Sequence, residues 1–148
     1  MRNLTLPPAL VRSCLLAAAG LVACVGSPLT TSLTATSPEP VPDVFACVKD
    51  QLKALDYSQS SIDVTENRIT ARKLDETVRR PDVNFRRMVD RIEVEVAPGS
   101  GQDITTLSVT SRTFAELATQ RGPTEVQEKT SESAREAAQI LIQRCGGS

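Results

Sequence analysis

The sequence predicts an α+β domain built as a two-layer sandwich, in which two helices cover one face of a four-stranded antiparallel sheet. Apolar residues recur at helical spacing near both ends of the domain, and they alternate with polar residues in the segments between. Short polar loops separate the alternating segments, which favours antiparallel neighbours. Alternation leaves one sheet face apolar for the helices to cover, so the predicted order is α-β-β-β-β-α.

Two amphipathic helices are predicted at the ends of this order. The first begins at Asp43, a residue type suited to the N-cap, and ends near Asp56. One face of it carries Val44, Cys47, Val48, Gln51, Leu52 and Leu55. The second opens at Pro123, where Thr124 and Gln127 match a capping box, and Gly146 stops it. Its buried face carries Ala134, Ala137, Ala138, Leu141 and Cys145.

Four strands are predicted between the helices. Their inward residues are Ile62 and Val64, then Ile69 and Ala71, then Ile92, Val94 and Val96, then Leu107 and Val109. A tight turn at Glu66-Asn67, a polar loop over 75–86 and a hairpin loop over 98–102 separate them. The outward residues are Thr70, Arg72, Arg91, Glu93, Glu95, Thr106, Ser108, Thr110 and Arg112. Such a face can dock a partner, although cross-strand Arg–Glu pairs account for the same residues without any function.

Composition excludes several classes of function. The chain has 17 basic and 18 acidic residues, so it lacks the basic field of a nucleic-acid binder. It has no His, which removes the usual general base and the commonest metal ligand. Nucleophile elbow, metal-ligand spacing and phosphate-binding glycine loop are all absent from the sequence. We therefore expect a protein that is not an enzyme and needs no cofactor or metal.

Residues 1–23 match a secretory signal peptide. The apolar run Ser13–Ala23 is too short to span a hydrocarbon core of ~30 Å as a helix. It ends in Leu21-Val22-Ala23-Cys24, which resembles the lipobox of bacterial lipoproteins. The resemblance implies that Cys24 receives a diacylglyceryl group and becomes the first residue of the mature chain. The alternative is an ordinary signal cleaved after Ala23, with Cys24 left as a free thiol.

The resemblance also implies a location, which is the bacterial cell envelope with the protein held to a membrane by its lipid. Val25 follows the modified cysteine where Asp would signal retention, so the outer membrane facing the periplasm is favoured over the inner membrane. Residues 24–42 then form a disordered Ser/Thr/Pro-rich tether, because they hold too little apolar surface to offset ordering. The single globular domain is predicted over 43–148.

Two further cysteines, Cys47 and Cys145, lie on the apolar faces of the two predicted helices. In an oxidising compartment they are expected to form a disulfide that closes a loop of about 100 residues. The alternatives are two separate buried thiols, or a redox-active pair, for which the Cys-x-x-Cys spacing is missing.

A basic stretch in the central loop offers a contact surface. Arg79, Arg80, Arg86 and Arg87 form a candidate cationic patch for anionic lipid or an acidic partner, or else a set of ordinary solvated charges. The function expected from these features is a membrane-anchored, non-enzymatic interaction or assembly module with a protein partner in the envelope. The alternative is a small-ligand-binding or scavenging lipoprotein, with a pocket between helices and sheet where Ala134, Ala137 and Ala138 leave space.

Overall fold

The computed structural model describes residues 28–101 and 103–147, so the predicted signal peptide and Cys24 lie outside the described residues. The elements are β1 (Thr30–Ser37), α1 (Val41–Ala54), β2 (Ser58–Asp63), β3 (Arg68–Asp75), β4 (Phe85–Pro98), β5 (Thr105–Thr119), β6 (Gly122–Glu128) and α2 (Glu132–Cys145). The α+β class, the antiparallel sheet and the two helices are confirmed. The predicted count of four strands and the order α-β-β-β-β-α are wrong, since the described residues form six strands in the order β-α-β-β-β-β-β-α.

The sheet is organised around the long strand β5. One edge of β5 pairs with β4, and the order continues through β3 to β2. Its other edge is shared, because β1 pairs with residues 105–112 and β6 pairs with residues 113–119. Strands β1 and β6 therefore lie end to end along the same edge of β5, and the start of β1 meets the end of β6.

Strand β1 lies inside the segment predicted as a disordered tether, so that prediction is wrong from Thr30 onward, and the globular domain begins before the predicted residue 43. Its composition is polar, with Leu33 and Ala35 as the only apolar residues. Threonine is nevertheless well suited to a strand, and the free edge of β5 supplies a backbone partner for every residue from Thr30 to Ser37. Backbone pairing to β5 thus orders a segment whose side chains carry little apolar surface.

The beginnings of both helices differ from the prediction. Helix α1 begins at Val41 with Pro40 at the N-cap, so Asp43 is a first-turn residue. The proposed capping box of Thr124 and Gln127 lies in strand β6 instead. Helix α2 begins at Glu132, and the Ser131 hydroxyl accepts a hydrogen bond from the Ala134 amide at 3.0 Å as its N-cap.

Both helices cover the same face of the sheet, as predicted. The core joins alternate residues of β3, β4 and β5 to the apolar faces of α1 and α2. Fully buried large side chains include Leu52, Ile69, Ile92, Leu107 and Leu141. Asn67 adopts a φ of 49° in the turn between β2 and β3, as its residue type predicts, whereas Ile62 on the edge strand β2 stays 45% exposed.

The predicted disulfide is present and links Cys47 of α1 to Cys145 of α2. The two Cα atoms lie 5.8 Å apart, within the range that a disulfide requires. Because the cysteines are 98 residues apart in sequence, the bond joins the first helix of the domain to the last one.

Candidate functional site

The helix-covered face of the sheet changes from apolar to polar along its strands. Strand β5 passes from Leu107 and Val109 to Ser111 and Thr113 on this face, and all four are buried. We call the second region the polar end. It consists of Thr31, Lys73, Asp90, Ser111 and Thr113 on the sheet, together with Tyr57, Thr130, Ser131 and Ser133 beside it. The polar end lies next to the N-terminus of α2.

Asp90 is the centre of the polar end and is only 7% exposed. Its Oδ1 accepts hydrogen bonds from the Thr113 hydroxyl at 2.6 Å and the Ser131 hydroxyl at 2.8 Å. The Ser131 hydroxyl also lies 2.8 Å from Oδ2. The Ser131 amide in turn donates to the Thr113 hydroxyl at 2.8 Å. The buried carboxylate therefore holds the N-cap of α2 against β4 and β5.

Tyr57 lies in the polar end, three residues after the end of α1. Asp56 adopts a left-handed φ of 63°, and the Tyr57 amide donates to the Leu52 carbonyl at 2.9 Å, which closes the helix. Burial and then the charge of Asp90 raise the pKa of Tyr57, against a smaller lowering by the Ser133 hydroxyl. Its own hydroxyl has no hydrogen bond of normal geometry to any described residue. Burial of such a group without a partner costs free energy.

Lys73 of β3 borders the polar end on the sheet. It is the cross-strand neighbour of Asp90, yet its ammonium donates to the Leu55 carbonyl at 3.1 Å. The ammonium also lies 5.8 Å from the centre of the Tyr57 ring, within the range of a cation–π contact. Within the described ranges, no cationic group comes within 4 Å of the Asp90 carboxylate.

A surface cleft of about 470 Å³ opens onto Asp90. Its walls include Lys73, Asp75, Met88, Asp90 and Ser131. Hydrogen bonds from the hydroxyl and amide of Thr77 lower the pKa of Asp75. The lining carries three carboxylates, of Asp75, Glu76 and Asp90, and two cationic groups, of Lys73 and Arg80, together with hydroxyls and the Met88 thioether. Glu76 and Arg80 are paired with Arg87 and Glu128, so the carboxylates of Asp75 and Asp90 outnumber the Lys73 ammonium, a balance that suits an ammonium ligand.

Arg80, which lines this cleft, forms a two-point ion pair with Glu128 of β6. Arg80 Nη2 lies 2.6 Å from Glu128 Oε2, and the second pair of atoms lies 2.5 Å apart. This hydrogen bonding lowers the pKa of Glu128 and raises that of Arg80. Arg80 also stacks on Phe85, with its guanidinium carbon 4.9 Å from the ring centre. The pair fixes the loop between β3 and β4 to the end of β6.

The predicted cationic patch is largely neutralised. Arg86 and Arg87 both pair with Glu116, and Arg87 also pairs with Glu76. Arg80 pairs with Glu128, while the Arg79 guanidinium donates to backbone carbonyls of its own loop. The structure thus brings three of the four arginines to carboxylates, and the four do not form an uncompensated positive surface.

The uncovered sheet face carries the nine residues that alternation placed outward. Glu95 pairs with Arg68 at 3.1 Å, and Glu93 pairs with Arg112 at 2.9 Å. One row differs from the others, because Arg72, Arg91 and Arg112 lie directly opposite one another across β3, β4 and β5. Arg91 is paired with Glu125 at 2.7 Å and stacks on Phe114. Arg72 is exposed and has no described carboxylate within 4 Å.

Sequence reasoning did not find the Asp90 cleft, although one signal for it was present. Residues 92, 94 and 96 point to the helices, and the same alternation extended to residue 90 places Asp90 on the covered face. Ala134, Ala137 and Ala138, beside which a gap was predicted, are all buried and at most 3% exposed. No group of three or more His, Cys, Asp or Glu side chains is placed to hold a metal in the part of the chain that the structure describes.

Comparison with known proteins adds no family to this description. A scan against known protein-family models gives no match for the chain, and a search of curated proteins finds no similar sequence. Over residues 28–101 and 103–147, no helix is long and apolar enough to cross a membrane. The function is therefore argued from the surfaces described above.

Proposed function

We propose that this protein is an envelope lipoprotein, anchored through Cys24, that acts as a non-enzymatic interaction or assembly module. The observation that carries the proposal is the uncovered face of the sheet, and above all its row of three arginines. Like charges directly opposite one another on a sheet are destabilising. A partner carboxylate at Arg72, the member of the row without a described ion pair, would reduce that repulsion.

The arginine row, which consists of Arg72, Arg91 and Arg112, favours an acidic partner surface. Two of its members already form ion pairs, Arg91 with Glu125 and Arg112 with Glu93. Arg72 is exposed, at the side of the row nearest β2. A guanidinium binds a carboxylate through two parallel hydrogen bonds, which makes Arg72 the best-placed anchor for an acidic side chain.

The compartment is supported by the cysteines. A disulfide between Cys47 and Cys145 persists in an oxidising environment such as the periplasm. The lipobox at Leu21-Val22-Ala23-Cys24 would deliver the chain to the same compartment and attach it to the membrane. Two or more acyl chains anchor a protein stably where one does not. The outer membrane remains favoured over the inner one because of Val25.

The test is affinity capture of the full-length chain from detergent-solubilised membranes of its own cell. We expect a specific protein to be recovered with the wild type and lost with Arg72→Glu. The matched control is Lys53→Glu, which makes the same charge change at an exposed position of α1, on the helix-covered side. Recovery of no partner in repeated captures, or equal loss with both variants, would contradict the proposal.

Intact-mass measurement of the membrane-extracted chain tests the anchor separately. The expected mass lacks residues 1–23, includes the acyl groups on Cys24 and is lower by two hydrogen atoms because of the disulfide. An uncut chain without acyl mass would contradict the lipoprotein assignment.

A second candidate function is binding of a small cationic ligand in the Asp90 cleft. The observation in its favour is Asp90, a residue that is 7% exposed, whose carboxylate accepts hydrogen bonds from two described hydroxyls and which lines a cleft of about 470 Å³. Titration with n-butylammonium chloride, followed by amide NMR, should shift the signals of Thr113 and Ser131. Neutral n-butanol and the Asp90→Asn variant are the controls, and equal shifts in all three experiments would dispose of this candidate.

A further inference from the structure

The chain enters the described fold at a fixed point in the middle of one sheet edge. The Pro28 carbonyl accepts a hydrogen bond from the Thr130 amide at 3.0 Å. The Gln127 side-chain amide donates to the Leu29 carbonyl at 3.0 Å and to the Thr30 hydroxyl at 3.2 Å. The chain is therefore held from Pro28 onward at the place where the start of β1 meets the end of β6.

Only residues 25–27 separate Cys24 from Pro28. Four residues of fully extended chain span at most about 14 Å. This reach is much shorter than that of the tether predicted over 24–42. If Cys24 carries acyl chains, as the proposed function requires, then Pro28 can lie no farther than this distance from the acylated residue.

We propose that the short tether holds the domain with this edge against the bilayer surface. We call it the anchor edge and define it by residues 28–30 and 126–129. The inference rests on the proposed lipidation of Cys24 and adds the orientation of the domain. Strand β2 lies four strand spacings away, or about 19 Å.

The side chains of the anchor edge suit a lipid surface. Leu29 is 56% exposed and Val126 is 48% exposed, so both can enter the interfacial region. Two acidic residues of β6 are already neutralised, since Glu125 pairs with Arg91 and Glu128 pairs with Arg80. Their pairing reduces repulsion from anionic head groups.

This orientation has a consequence for the partner surface. Because the sheet meets the membrane through an edge in this orientation, its uncovered face is not covered by lipid. The arginine row runs across β3, β4 and β5, from the far side of the sheet toward the anchor edge. A partner in the same membrane can therefore reach this face from the side.

Single-tryptophan variants provide the test, because the chain contains no Trp. Leu29→Trp and Val126→Trp place an indole on the anchor edge. Ile62→Trp is the matched control, since Ile62 is also exposed, at 45%, but lies on β2 at the opposite side of the sheet. Each full-length chain is extracted with its lipid and reconstituted into phosphatidylcholine vesicles, with or without brominated phosphatidylcholine.

Brominated lipid should quench the fluorescence of Leu29→Trp and Val126→Trp about twofold or more and leave Ile62→Trp nearly unchanged, since the control indole is held about 19 Å farther away. Insertion of twenty Gly/Ser residues after Ser27 adds a coil of about 25 Å and should reduce the quenching at position 29 to the control level. Unchanged quenching in the lengthened chain would overturn the role of the tether.

Three other results would also overturn the inference, and they separate it from the proposed function. Equal quenching of all three variants in a chain that carries acyl mass would exclude the orientation but leave the lipoprotein assignment intact. Absence of quenching at positions 29 and 126, together with a dimeric mass, would show that the anchor edge contacts a second copy of the chain. Absence of acyl mass would remove the lipoprotein assignment and the orientation together.

Discussion

The two ends of the helix-covered sheet face are held by different interactions. The apolar end joins Leu107 and Val109 of the sheet to Leu141 of α2, and the disulfide links the same part of α2 to α1. The polar end is held by hydrogen bonds between Asp90, Thr113 and Ser131. Apolar contact is non-directional, whereas hydrogen bonds to a buried carboxylate require a particular geometry.

The two ends of α2 differ in whether they border a surface cleft. Burial of apolar side chains and one disulfide stabilise the far end of α2, while the near end leaves a cleft beside its N-cap. The polar end contains buried hydroxyls without described partners, on Thr31, Tyr57, Ser111 and Thr130. Unpartnered buried groups cost free energy, so the polar end is expected to open before the apolar end does.

Removal of the disulfide should have the largest effect. Replacement of Cys47 and Cys145 by Ala removes a bond between residues 98 apart in sequence, and the chain-entropy argument expects a loss of up to about 4–5 kcal/mol. Urea unfolding measures the change in free energy, with the reduced wild type as the control. An unchanged midpoint would show that the apolar end is stable through packing alone.

Asp90→Ala should have the next largest effect. It leaves the hydroxyls of Thr113 and Ser131 without their acceptor in a buried site, and we expect a loss of about 3 kcal/mol in unfolding free energy. Hydrogen exchange should rise most at the first turn of α2 and least near Cys145. Asp90→Asn keeps the shape and one acceptor, so it should lose less. Uniform exchange along α2 would contradict the division into two ends.

Ser131→Ala tests the N-cap within the same network. The hydroxyl accepts from the Ala134 amide at 3.0 Å, and loss of such a cap costs about 1 kcal/mol. Ser131→Thr retains the hydroxyl and is the control. Thermal unfolding of both variants measures the difference, and equal melting temperatures would show that the Asp90 network does not depend on the cap.

The ion pair of Glu128 and Arg80 should have the smallest effect and a defined pH dependence. The pKa of Glu128 is lowered in the folded state, so its contribution is present above the unfolded pKa and is lost as pH falls through the folded pKa. The pair is partly exposed, so the expected size is below about 1 kcal/mol. Unfolding free energy measured between about pH 6 and pH 3 should fall less in Glu128→Gln than in the wild type. Identical pH profiles would show that this ion pair does not contribute to the free energy of unfolding.

Local patterns predicted a large part of the fold correctly. Ile92, Val94 and Val96 alternate with polar residues, and the structure places them in the core. The small and apolar residues of α2 recur at helical spacing, and their face is buried as expected. Periodicity succeeds here because each of these elements buries one continuous apolar stripe, which neighbouring residues of the chain specify by themselves.

Strands β1 and β6 could not be predicted in the same way. Strand β1 has the composition of a linker, and β6 contains Pro123-Thr124, which resembles the opening of a helix. Both are strands because the long strand β5 offers one continuous edge to pair with. The backbone of a distant segment therefore decided their structure, and no local pattern records such a partner.

The sequence by itself determined the α+β class, the antiparallel sheet, the outward face and the pair of cysteines. Each depends on the spacing of residue types along the chain, which folding preserves. Only the tertiary structure decided the six-stranded topology, the point at which the chain enters the fold, and the cleft at Asp90. The carboxylate meets Thr113 and Ser131 from 23 and 41 residues away. A site of this kind exists only after β4, β5 and α2 have packed together, because no one of them carries all of its groups.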